Sequence, residues 1–206
     1  MSSPARSRRD VLRIGAGALA GALAVGLSAC APDPATDAFL NGKEKAYTAD
    51  DLRVVEIPAD KRGEPVVFGG TTESGEKFSS SDSLGEVIVV NFWYATCGPC
   101  RVEAKDLEAV WQKHRGDGVV FMGVNIYDQA ATAKAFAEKY GVTYPSLLDA
   151  DSGQAKLAFA KVAPIQAPPT TLVLDRKGRV AARIIGPIDG TSILSTLIAD
   201  ALKEKA

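Results

Sequence analysis

Residues Asn91–Arg101 read NFWYATCGPCR. Two of the chain's three cysteines, Cys97 and Cys100, stand three apart around Gly-Pro, directly after the apolar run VIVVNFW (Val87–Trp93). A continuous apolar run of that length suits a strand buried on both faces. The stretch that follows, CRVEAKDLEAVWQKHR, places Cys100, Leu107, Val110 and Trp111 on one face at helical spacing. The cysteine pair thus falls where a buried strand hands over to a helix. The start of a helix carries unpaired N–H groups and roughly half a positive charge. Both favour the thiolate, the nucleophilic form of cysteine. Gly98 and Pro99 permit the tight turn, and proline suits a first helical turn because no N–H partner is needed there.

Three uses of the pair can be weighed. A structural zinc site takes four ligands. Past the N-terminal segment, the chain offers only Cys97, Cys100 and the distant His114 as soft ligands, so no metal is expected. A structural disulfide here would close too short a loop to constrain the chain. Redox chemistry fits best, with Cys97 attacking a partner disulfide and Cys100 resolving the mixed disulfide. The pair is its own redox group, so no cofactor is expected. Glu103 lies on the Cys100 face of the helix, and a half-buried carboxylate there would have a raised pKa and could accept or relay the Cys100 proton.

The surrounding chain reads as alternating strands and helices. PVVFGG and GEKF form two short strands around the turn TTESG, and GVVFMGVNI (Gly118–Ile126) is a second buried strand. DQAATAKAFAEKYG is a helix that stops near Gly141. PTTLVLD and RVAARIIG flank RKG as an antiparallel hairpin, and TSILSTLIADALKEK is a final helix. This order gives an α/β sandwich with a mixed sheet. The single histidine, His114, is expected at a helix C-terminus, interacting with the last carbonyls. DADSG (Asp149–Gly153) lacks the later Glu of a calcium loop and reads as a turn.

The N-terminus reads as an export segment. Arg6, Arg8 and Arg9 precede an uncharged stretch from Ile14 to Leu27. That is too short for a membrane span, which needs about 20 residues, and it suits a signal-peptide core. SRRDVLR (Ser7–Arg13) resembles the twin-arginine export motif, and LSAC (Leu27–Cys30) resembles a lipobox whose cysteine becomes a lipidated N-terminus. Residues 1–29 are therefore expected to be a signal peptide and residues 30–51 a lipidated N-terminus and tether, with Cys30 as the lipidation site. The folded domain is expected over residues 52–206. The formal charge of −1 over 206 residues gives no basic excess for nucleic acid.

VVNFWYATCGPCRVE, followed much later by PPTTLVLD, resembles thioredoxin-fold proteins of the TlpA/ResA type. The resemblance implies an α/β thioredoxin-like fold: a mixed central β-sheet flanked by helices, with an N-terminal β-hairpin extension and an inserted helix. It also implies a cis-proline at Pro169 lying against the cysteine pair, and a CxxCxxE pattern that Glu103 completes. Asn91 stands where cytoplasmic thioredoxins usually have a buried Asp. Thr96 departs from the aromatic that usually precedes the first cysteine. Tyr94, Thr96, Pro168, Pro169 and Thr170 are the implied substrate-facing residues, and Pro168 lacks the N–H with which that position would pair with a bound peptide.

A copper-delivering relative would want a wider cysteine spacing and a histidine. A peroxiredoxin would want Thr where Tyr94 stands. The resemblance therefore implies a lipid-anchored, extracytoplasmic thiol–disulfide oxidoreductase. Its partners would be disulfide-containing or dithiol proteins, including apocytochromes c, with a membrane electron donor. A disulfide-forming oxidase, and a partner-binding lipoprotein with an inert cysteine pair, are the competing readings. Direction follows the reduction potential, which residue types do not reveal.

Overall fold

The computed structural model describes residues 53–204. Cys30, the twin-arginine segment and the tether lie outside them. The strands are β1 (Val54–Glu56), β2 (Gly69–Thr71), β3 (Lys77–Ser79), β4 (Val87–Trp93), β5 (Val119–Asn125), β6 (Ser146–Leu148), β7 (Thr170–Leu174) and β8 (Val180–Ile185). The α-helices are α1 (Gly98–His114), α2 (Ala130–Tyr140), α3 (Gln154–Ala158) and α4 (Ser192–Lys203).

Six strands form one sheet in the order β1-β8-β7-β4-β5-β6. β4, β5 and β6 run parallel, while β7 is antiparallel to both β4 and β8, and β8 to β1. The sheet is therefore mixed, and β4 lies inside it. Every residue of β4 is buried. Val87 and Val89 pack on one face with Leu107 and Val110 of α1 and Leu194 and Ile198 of α4. Ile88, Val90 and Phe92 pack on the other with Val66, Phe68 and Phe159. Two covered faces explain why β4 reads as an unbroken apolar run rather than as an alternation.

Two local features depart from the sequence reading. In PVVFGG only Gly69 and Gly70 pair as strand. Val66 donates instead to the Gly178 carbonyl in the β7–β8 turn (2.8 Å), and Phe68 donates to Ser80 Oγ (2.9 Å). Those bonds turn Val66 and Phe68 into the core. The small β2–β3 hairpin then covers the edge of β6, where Glu73 exchanges bonds with the Ser146 backbone. An exposed strand edge invites association, so this cover is protective. β1, which no sequence pattern announces, closes the opposite edge on β8. α2 stops at Gly141, which takes the left-handed conformation (φ +70°) expected of a C-terminal glycine.

Candidate functional site

The site is built where β4 ends and α1 begins. Cys97 is the N-cap of α1, and its Sγ accepts the Cys100 N–H at 3.2 Å. Cys97 and Cys100 are joined by a disulfide, with Cα atoms 5.3 Å apart. Both are buried, 3% and 2% exposed, so exposure does not distinguish them in this oxidised form. The N–H of Cys100 does, because it points at Cys97 and would stabilise a thiolate there. Thr96, Gly98 and Pro99 around the pair are exposed, and Tyr94 is half-buried.

Glu103, one turn further along α1, is completely buried, more deeply than the half-burial expected from sequence. Its Oε1 accepts from Asn91 Nδ2 and its Oε2 from the Ile188 N–H, both at 2.9 Å. Asn91 Nδ2 also donates to Thr171 Oγ1 at 3.1 Å. Burial pushes the Glu103 carboxyl up to about 7, against the two hydrogen bonds that favour its charged form and with a small further push from Asp106. No cation contributes to this balance. The Asn at position 91 now has a physical reason: a carboxylate there would face Glu103 instead of donating to it. A cavity of about 10 Å³ behind the pair is lined by Cys100, Asn91, Trp93, Tyr144, Ser146 and Glu73. That is about the size of one water site.

β7 brings the second segment. Thr170 and Thr171 lie opposite Phe92 and Asn91, so the chain just before β7 meets the end of β4. The Pro168–Pro169 peptide is cis. The Ala167 carbonyl accepts from Thr170 Oγ1 (2.8 Å), and the Pro169 carbonyl accepts from the Gly186 N–H (2.8 Å). His114 ends α1, but its Nδ1 meets the Asp117 carboxylate at 3.2 Å rather than a helix carbonyl. Asp149 accepts the N–H groups of Ala155 and Lys156, so DADSG is a turn that caps α3. Among the described residues no cluster of three or more His, Cys, Asp or Glu is placed to hold a metal.

The structure adds residues that sequence reading passed over. Asn125, fully buried at the end of β5, accepts the N–H groups of Tyr127 and Asp128 through Oδ1. Asp128 Oδ2 accepts from Asn125 Nδ2 (2.9 Å) and from the Ala95 N–H (2.6 Å). This brace ties the loop after β5 to the loop that carries Cys97. It presents the Tyr127 ring, 69% exposed, edge-on to Tyr94 with centroids 4.9 Å apart. Asn and Asp three apart at a strand end are a readable turn signal. Ile188, which acts through its backbone, leaves no such signal. Gly123 is sterically required, since a Cβ there would come within 2.1 Å of Ser146 Oγ and 2.9 Å of Trp93 Nε1. The open space lets Trp93 donate to Ser146 at 3.1 Å beside the cavity.

Comparison with known proteins fits this geometry. The model of the AhpC/TSA family matches residues 63–183. The chain belongs to the AhpC/TSA family. It is 35% identical over 114 residues to the thioredoxin-like protein YneN of Bacillus subtilis (strain 168), covering 54% of this chain and 63% of that protein. It is 29% identical over 119 residues to the thiol-disulfide oxidoreductase ResA of Bacillus thuringiensis (strain Al Hakam), covering 58% and 66%. The chain thus spans somewhat under two thirds of the length of these relatives. A crystal structure of a thioredoxin-family thiol:disulfide interchange protein from Chlorobium tepidum TLS superposes with a TM-score of 0.62 at 28% identity, covering 68% of this chain and 97% of that one.

Proposed function

We propose that this protein is a thiol–disulfide oxidoreductase that reduces disulfides in partner proteins. The observation that carries the reading is the Cys97–Cys100 disulfide capping α1, with a buried carboxyl that has no cation beside it, Glu103, one turn along the helix from Cys100. In the reduced form the Cys97 thiolate attacks one sulfur of a partner disulfide. The partner's S–S bond breaks, and its other sulfur leaves as a thiolate that takes up a proton. Cys100 then gives its proton to Glu103 and attacks Cys97 Sγ. The mixed disulfide breaks, Cys97–Cys100 forms, and the second partner sulfur leaves and is protonated. Two electrons pass to the partner, and a dithiol donor must return them. With its proton affinity near neutrality, Glu103 can take the Cys100 proton and later release it. The small cavity lined by Cys100 and by Asn91, whose amide bonds Glu103, has room for about one water beside Cys100.

The partner chain lies across Tyr94 and Thr96, with Tyr127 as an exposed aromatic ledge; Thr170, implied by the resemblance to face it, is instead buried with its hydroxyl on the Ala167 carbonyl. The Pro168 carbonyl is the backbone acceptor left for it. Cys30 carries the lipid that holds the domain at the outer face of a bacterial membrane after twin-arginine export. No helix among the described residues is long and apolar enough to cross a membrane. Apocytochromes c awaiting haem are the substrate class that the TlpA/ResA resemblance suggests, and a membrane dithiol protein is the donor.

Insulin reduction with Cys97→Ser as control tests the chemistry, and the potential of the Cys97–Cys100 couple tests its direction. A potential near −270 mV, about that of thioredoxin, supports a reductase, and one near −120 mV would make the protein an oxidant. Cys97 should alkylate faster than Cys100, and Cys100→Ser should trap mixed disulfides. Cys30→Ala should release the protein from membranes or stall its processing.

A further inference from the structure

One short segment, Ile185–Ile188, touches both halves of the site. The Gly186 N–H donates to the carbonyl of Pro169 (2.8 Å), and the Ile188 N–H donates to Glu103 Oε2 (2.9 Å). The intervening Pro187 has no N–H to compete. The other side of the segment is gripped by Arg53. The Arg53 carbonyl accepts the Ile185 N–H (2.7 Å), its Nε donates to the Ile185 carbonyl (3.1 Å), and its Nη2 donates to the Pro187 carbonyl (2.6 Å). The backbone polar groups of residues 185 and 187 therefore bond Arg53, while the N–H groups of 186 and 188 bond the site. Gly186 makes the arrangement possible twice over. It takes φ +83°, which disfavours other residues, and a Cβ there would meet Arg53 Nε at 3.4 Å and Nη2 at 3.6 Å.

We infer that Arg53 is a positioning residue for the redox site, holding Ile185 and Pro187 so that the Gly186 and Ile188 N–H groups stay on Pro169 and Glu103. The inference rests on the oxidoreductase reading for its kinetic consequences, but its geometry does not. Glu103 is faced by Asn91 from β4, by Asp106 from its own helix, and by the Ile188 N–H. Thr171 of β7 shares the Asn91 amide, and Tyr144 ahead of β6 lies close enough for Glu103 to raise its phenol further. The Ile188 N–H is the one backbone donor in this set, and it favours the ionised carboxylate. Loosening it leaves burial less opposed, so Glu103 holds its proton to higher pH. Loosening the Gly186 bond frees the Pro169 carbonyl and with it the loop against which a partner chain lies. One guanidinium therefore sets both the proton holder and the docking loop.

The test uses the full chain with Arg53→Met, which keeps the stem and removes the two-pronged donor, and Arg53→Lys, which keeps charge without the fork. Glu103 ionisation is followed by ¹³C-carboxyl NMR, and KM is compared for a disulfide-linked peptide and for 5,5′-dithiobis(2-nitrobenzoate). In Arg53→Met the Glu103 ionisation should rise by up to about one pH unit, the tenfold weight of a hydrogen bond to a charged group. KM for the peptide should rise about threefold, as for partial loss of one docking bond, with little change for the small disulfide. Arg53→Lys should fall between. If Arg53→Met does not fold, the same readings on Arg53→Lys decide. An unshifted Glu103 ionisation in a folded variant overturns the inference. Failure of the unaltered chain to turn over any disulfide would instead overturn the oxidoreductase reading, while the ionisation still tests the clamp.

Discussion

The two ends of β7 hold two buried acids in opposite conditions. Near its start, Asn91 joins Thr171 to Glu103, which is fully buried, accepts two neutral hydrogen bonds and meets no cation. Just past its end stands Asp175, also buried. It accepts from Arg62 Nη1 (2.9 Å), Arg179 Nε (2.9 Å) and the N–H groups of Lys177 and Arg179. Burial raises both carboxyls, but only at Asp175 do hydrogen bonds and guanidinium groups overcome it and hold the group below the ordinary carboxylate range. Burial therefore does not decide what an acid is for. A cation beside it makes a permanent charge that ties chain segments together, and the lack of one makes a group that trades a proton near neutral pH.

The largest effect is expected from removing the cation. The Arg62 side chain is buried and bridges Asp175 to Glu204, bonding both carboxylate oxygens of the latter, and so ties the N-terminal part of the domain to the end of its last helix. Arg62→Met should cost about 3 kcal/mol in urea denaturation, the low end for breaking a buried pair, because Arg179 remains. Disulfide turnover per folded molecule should not change. Loss of turnover without loss of stability would mean that the two ends are not separable.

The two acids should also bend the stability curve in opposite directions. Asp175, depressed in the folded state, contributes stability that is present above its unfolded pKa and is lost as pH falls through the folded value. Glu103 moves from 4.5 to about 7, so the folded state keeps its proton longer. Its contribution is full below about 4.5 and is lost as pH rises to about 7, by roughly 3 kcal/mol. Glu103→Gln should flatten the curve between those limits. It should also slow resolution of mixed disulfides by roughly 100-fold, the low end for general acid–base catalysis. A curve that keeps its slope would place the ionisation elsewhere.

A smaller effect tests why position 91 holds an amide. Asn91→Asp replaces a donor 2.9 Å from Glu103 by a second carboxylate. The pair should then share a proton, with the upper ionisation raised by about one pH unit or more. At neutral pH this should cost about 1.4 kcal/mol of stability. Denaturation at pH 5 and pH 8 would show it, the variant losing more at pH 8.

Much of the site end was legible, because local pattern carried it. The run of β4, the Cys-Gly-Pro-Cys turn, the helical spacing that put Glu103 behind Cys100, and the Gly141 stop all follow from residues close in sequence. The Asp175 end was not. Arg62 and Glu204 are 142 residues apart, and nothing near either announces the other. β1 is illegible for the same reason, being three residues held by the edge of β8 and by the packing of Val54 on a distant core cluster. Even at the site, the depth of Glu103's burial depended on Ile188, a backbone donor 85 positions away. Patterns with periods of two and 3.6 residues report which face is covered, not which distant chain covers it.

The smallest effect concerns the one acceptor at the site end that β7 leaves open. Of the three carbonyls before β7, that of Ala167 is taken by Thr170 Oγ1 and that of Pro169 by the Gly186 N–H. The Pro168 carbonyl lies between them, and Pro168 has no N–H to offer. A partner chain lying along this loop can therefore donate to residue 168 but not accept from it. One net hydrogen bond is worth ~0.5–1.5 kcal/mol, or roughly three- to tenfold in affinity. Pro168→Val restores the donor with similar bulk. Complexes trapped on Cys100→Ser should then tighten by that factor for unrelated extended peptides, and by less for a partner that also packs on Tyr94 and Tyr127. The Asp175 end, where the carboxylate and both guanidinium groups already have partners, should not respond, so urea stability should stay within about 0.5 kcal/mol. Equal tightening for every partner would show that the aromatic pair adds no selectivity, and no tightening at all would show that bound chains do not run past residue 168.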